Sequence, residues 1–147
     1  MKKLFISVPM KNRTKEEILE SMDKLQTIAE VVIGEKLERI DTYIEEKPQF
    51  LADGEPSYYK KLLYLGESIK RMAQADVYVG IDYYSPNCFA GCCVENMAAE
   101  LYGLKRVMIP PQYVIDNYDE LCDKCYKEEY PVDYEEINRT NGLKTIL

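Results

Sequence analysis

The chain has 147 residues, 46% hydrophobic and 31% charged, an ordinary globular balance that suits one domain around one buried core. Its net charge of −7 argues against a nucleic-acid polymer as partner, because such binders present basic surfaces. There is no histidine, which removes Ser-His-Asp and Cys-His mechanisms and every imidazole metal ligand and leaves acid–base work to Asp, Glu, Lys, Tyr or Cys.

The N-terminal MKKLFISVPM holds only a short apolar stretch before Pro9, too short for a signal peptide, and no apolar run approaches the length that spans a bilayer. A cytoplasmic protein is expected. Leu4 to Val8 reads as a buried strand ended by Pro9. Thr14 opens a helix, with Glu17 at the capping-box spacing, Ile18, Met22, Leu25, Ala29 and Val32 on its buried face, and Gly34 as its stop. Between them, Lys11, Asn12 and Arg13 form a basic turn that is either solvated or holds a phosphate against the helix N-terminus.

Arg39 to Ile44 is the second predicted strand, followed by the loop EEKPQFLADGEP and a helix that Pro56 starts. That helix carries Tyr59, Leu62, Leu63, Ile69, Met72 and Ala73, with Gly66 as either a packing site or a break. Val77 to Ile81 is the third strand. A loop through Tyr83, Tyr84 and Ser85 leads to a helix from about Cys92 to Tyr102, capped by Gly103. Glu95 falls in its first turn, where an acidic residue suits the helix dipole, and off an apolar stripe of Cys93, Val94, Met97, Ala98 and Leu101. Arg106 to Ile109 is the fourth strand, and Tyr118 to Lys127 the last helix. Residues 130–147 form a tail of uncertain structure.

Strands alternating with helices predict a single-domain α/β fold, a doubly wound parallel sheet of four to five strands with helices on both faces, Rossmann-like with flavodoxin-like strand order. Ligands of such sheets bind beyond the carboxyl ends of the strands. The segments SVPMKNRT and DYYSPNCFAG both reach that edge, which brings Ser7 and Glu95 to one rim.

ISVPM followed by a helix, together with ADVYVGIDYYSPNCFAGCCVENMAAELYG, resembles the nucleoside 2-deoxyribosyltransferase superfamily over residues 4 to about 110, most closely a short bacterial and phage branch. The resemblance implies that Glu95 is a nucleophile towards the anomeric carbon of a nucleoside or nucleoside monophosphate, followed by hydrolysis or base exchange. It also implies that Ser7, Pro9 and Met10 line the sugar or phosphate side and that Gly91 lies under the ligand. A homodimer or higher homo-oligomer with a shared site follows from the same likeness. That chemistry requires neither metal nor organic cofactor. On the residues themselves, Lys11 and Arg13 are candidates for the 5′ end, and Tyr83, beside Ser85 at the start of the rim loop, is the candidate for stacking a base.

The chain departs from the family at two carboxylates. Phe89 stands six residues before Glu95 where the transferases have aspartate, and Ser68 stands eight before Asp76 where they have another. Asp82 and Glu67 are the nearest substitutes. These departures keep a second reading open, a non-catalytic sensor or sponge for a nucleotide-derived metabolite. The five cysteines read mainly as reduced thiols, with Cys92 and Cys93 placed where a helix N-terminus lowers thiol pKa.

Overall fold

The computed structural model describes residues 1–44, 57–82 and 89–129. Four strands, β1 (Lys3–Ile6), β2 (Glu38–Arg39), β3 (Val77–Ile81) and β4 (Lys105–Ile109), pair in the order β2-β1-β3-β4, every pair parallel. The connections carry α1 (Lys15–Ile33), α2 (Ser57–Met72) and α3 (Ala90–Leu101), and α4 (Tyr118–Glu129) follows β4 after a single 3-10 turn. The chain order reverses between β1 and β3, the kind of switch point beside whose carboxyl ends parallel sheets bind ligands. The parallel α/β architecture expected from the sequence is therefore present. Among the described residues no helix is long and apolar enough to cross a membrane.

Strand residues alternate between two apolar clusters, as the period of a pleated strand requires. Leu4, Ile6, Val77 and Val79 pack with Ile18, Met22, Leu25 and Ala29 of α1 and with Cys125 of α4. Phe5 and Tyr78 pack instead with Met72 of α2 and Ala99 of α3, the two rings stacked at 5.9 Å and 12°. β3 is buried along its whole length, which explains its unbroken apolar sequence VYVGI.

α1 begins as its sequence says. Thr14 Oγ1 accepts from the Glu17 amide, the Glu17 carboxylate accepts from the Thr14 amide, and Gly34 closes the helix in the left-handed region at φ 85°. Its apolar face ends one residue later than expected. Val32 is exposed, and Ile33 takes the inward position as the helix runs out. Gly66 is not a break: α2 runs through it, and among the described residues no other element lies within 4 Å of where its Cβ would stand.

β2 is much shorter than the expected run from Arg39 to Ile44. After Ile40, whose amide donates to Leu4, side chains take over the backbone groups that a ladder would use. Thr42 Oγ1 donates to the Ile6 carbonyl (3.2 Å), Arg71 Nη1 donates to the Asp41 carbonyl (2.7 Å), and Asp41 Oδ1 accepts from the Tyr43 amide (3.1 Å). The expected roles of Pro56 and of the 130–147 tail lie outside the described residues.

Candidate functional site

β1 ends in a ladder bond from the Ser7 amide to the Val79 carbonyl (2.9 Å), which fixes Ser7 at the carboxyl edge of the sheet beside β3. Its hydroxyl donates to Glu95 Oε1 at 2.8 Å across 88 residues of chain. The expected meeting of these two residues is thus observed. Ser68 of α2 lies near enough to the Glu95 carboxyl to favour its charged form, so three chain segments converge on one acid.

Glu95 reaches this place by a route the sequence pattern did not indicate. α3 begins at Ala90 rather than Cys92, so Glu95 lies in the second turn, beyond the dipole's first-turn reach. Its helix face is also the reverse of the one expected. Cys92, Glu95 and Ala99, spaced i, i+3 and i+7, are buried, whereas Val94, Met97 and Leu101 point outward, with Met97 60% and Leu101 73% exposed. Cys93 and Ala98 of the apolar stripe are half-buried, the rest of the stripe is on the surface, and the glutamate, only 8% exposed, is in the interior.

Burial dominates the acid's electrostatics. Desolvation pushes its pKa up to about 7, against the opposing hydrogen bonds from Ser7 and Ser68, which favour the charged form. The carboxyl is therefore divided between its two protonation states near neutral pH. A structural acid on a helix surface has no such property. A carboxyl poised in this way can exchange a proton or present an unusually basic oxygen to a ligand.

Tyr78 of β3 is a further neighbour of Glu95. Its phenol is fully buried, and desolvation, aided by the nearby Cys92, Glu95 and Cys93, pushes it well above the usual tyrosine range. The signal that would have found it is the spacing Tyr78-x-Gly80 on one strand face. A Cβ on Gly80 would stand 2.8 Å from both Tyr78 Cε1 and Oη, so only glycine lets the ring lie along the strand towards Ser7.

The remaining candidates are dispersed. Pro9 is fully buried, Met10 is exposed, and Gly91 is exposed in the first turn of α3. Asp82 is exposed just beyond β3, its amide bonded to the Ile109 carbonyl. Lys11 is half-buried, and its carbonyl faces the Cys125 thiol. Arg13 folds back on its own helix: its guanidinium donates to the Pro9 carbonyl (3.0 Å), the Glu17 carbonyl (3.2 Å) and Ser21 Oγ (2.6 Å). It also lines a cavity of about 310 Å³ between α1 and α4, away from Glu95, walled by Ser21, Lys24, Val114, Asn117 and Lys124 among others. Tyr83 and Ser85 lie outside the described residues.

Of the substitutes considered for the missing carboxylates, Glu67 is engaged with Arg71 Nε at 3.2 Å. Phe89 is buried in the core against the Tyr118 ring at 6.1 Å. The expected lowering of thiol pKa does not hold for Cys93, which burial pushes up; its amide is already inside the helix, bonded to the Phe89 carbonyl. Cys122 and Cys125 pack into the core from α4. Comparison with protein-family models, curated proteins and solved structures finds no match for this chain.

Proposed function

We propose that the protein cleaves or exchanges the base of a (deoxy)nucleoside or nucleoside monophosphate, with Glu95 as the reacting group. One observation carries the reading: a desolvated carboxyl, gripped by the Ser7 hydroxyl, at the carboxyl ends of the two strands where the sheet order reverses. In its ionised form Glu95 would attack the anomeric carbon. An oxygen–carbon bond forms as the bond to the base nitrogen breaks, and the electron pair leaves with the base, which takes up a proton. Water or a second base then displaces the carboxylate, giving hydrolysis or transfer. Desolvation helps such a step twice, by making the oxygen more basic and by leaving it unsolvated when positive charge develops on the sugar. In this reading Ser7 and Gly91 lie on the sugar side, and Tyr83 stacks the base. No cofactor is called for, and the compartment is the cytoplasm.

Assembly is part of the same proposal. Val94, Met97 and Leu101 leave one side of α3 apolar and exposed, with Tyr102 exposed at its end, and a second copy of the chain is the occupant we assign to it.

The reading is tested by incubating the protein with a panel of nucleosides and monophosphates and following free base chromatographically. Release by the native protein that disappears with Glu95→Ala is expected. No release, or equal release by the variant, overturns it. The second reading, a binder without turnover, is favoured by Phe89, whose burial leaves an apolar ring where the resembling transferases carry a carboxylate. Calorimetry showing tight nucleotide binding with the ligand recovered intact would select it.

A further inference from the structure

Tyr78 is a buried polar group that the proposed mechanism does not use. Register continues from Phe5 opposite Tyr78 and Ile6 opposite Val79 to Ser7 opposite Gly80. Gly80 lacks the Cβ that would stand 2.8 Å from Tyr78 Oη, so the phenol end of the ring lies over Gly80, beside Ser7. The side chains of Phe5, Ser7 and Tyr78 leave the strands on one face, the face on which Glu95 and Ala99 of α3 rest. Yet among the described residues Tyr78 Oη makes no hydrogen bond of adequate geometry, although Ser7 is near enough to pull against the rise in its pKa. A buried hydroxyl without a partner is costly, and a phenylalanine would fill the same stacked position on Phe5 without that cost.

We propose that Tyr78 is a positioning residue for Glu95, its phenol donating to the Ser7 hydroxyl so that Ser7 in turn holds the glutamate as a carboxylate. The relay runs in one direction. Ser7 has one proton, which it gives to Glu95 Oε1, and this leaves its lone pairs to accept from the phenol. Because burial raises the phenol's pKa, Tyr78 remains a donor throughout the range in which Glu95 titrates. Among the described residues Ser68 of α2 also acts on the carboxyl, and the Cys92 and Cys93 thiols of α3 act on the phenol. No proton leaves the phenol. The donor chain shortens as charge appears on Glu95, each bond strengthening the next.

The inference rests on the reading of Glu95 as the reactive group only for its consequence, and its test does not need turnover. In protein labelled with carbon-13 at glutamate side-chain carboxyls, the Glu95 resonance, assigned with Glu95→Gln, is titrated in native and Tyr78→Phe protein. Loss of one relayed hydrogen bond is expected to raise the Glu95 midpoint by about half to one pH unit. An unchanged midpoint in folded Tyr78→Phe overturns the proposal. In the native protein a protected Tyr78 hydroxyl proton that shifts with the same midpoint is expected, and its absence likewise overturns it. A moved midpoint with no base release by the native enzyme leaves the relay standing and removes the glycosidic reading. Where release occurs, its acid limb moves with the midpoint.

Discussion

Replacing Glu95 by glutamine should stabilise the protein in alkali while abolishing its proposed chemistry. Folding raises this carboxyl from 4.5 to about 7, so the native state holds a proton that the unfolded chain has released between those values. The stability that Glu95 contributes is therefore greatest below pH 4.5 and is lost as pH rises through 7, the opposite of the usual salt-bridged carboxylate. At about 1.36 kcal/mol per pKa unit the loss is about 3 kcal/mol once Glu95 is fully ionised. Glutamine keeps an oxygen for the Ser7 hydroxyl and offers its amide hydrogens to Ser68 Oγ, without charge. Urea unfolding followed by circular dichroism should give equal stabilities for the two proteins near pH 4, where Glu95 is protonated in both the folded and the unfolded chain. At pH 8.5 Glu95→Gln should be more stable by up to about 3 kcal/mol, or about 6–12 °C in Tm for a chain of this length. Parallel stability curves from pH 5 to 8.5 would refute the claim that burial controls this acid.

Two further outcomes follow from the packing. Arg13→Ala removes the donors to Pro9, Glu17 and Ser21 and should cost about 2 kcal/mol in urea unfolding; unchanged stability with a raised KM for monophosphates would mean the guanidinium faces ligand instead. Light scattering should show the native protein above the 17.1 kDa of one chain, and Met97→Lys should return it to that mass; a native monomer would remove the proposed assembly.

What could be read in the sequence was local or strictly periodic. The capping box of Thr14 and Glu17, the left-handed stop at Gly34 and the buried β3 run each depend on residues within a turn or a strand of one another. Their alternation was enough for the parallel sheet, and the parallel sheet was enough to bring Ser7 to Glu95. β2 is shorter than its sequence suggests because the Thr42 hydroxyl takes the Ile6 carbonyl of β1 and Arg71 takes the Asp41 carbonyl, and Arg71 comes from a helix thirty residues away.

The face of α3 marks the boundary between the two kinds of information. Sequence periodicity shows that the helix has an apolar side and a side bearing Glu95, but assigns the apolar side to the core, because burying hydrocarbon is ordinarily favourable. The tertiary structure reverses that choice. Ser7, Ser68 and the Tyr78 ring over Gly80 supply polar groups on the sheet side that can hold a carboxyl, and this makes Glu95 tolerable inside while Met97 and Leu101 stay outside. Which side of a helix is its interior depends on what the neighbouring elements offer it, and those neighbours come from chain segments up to 88 residues away.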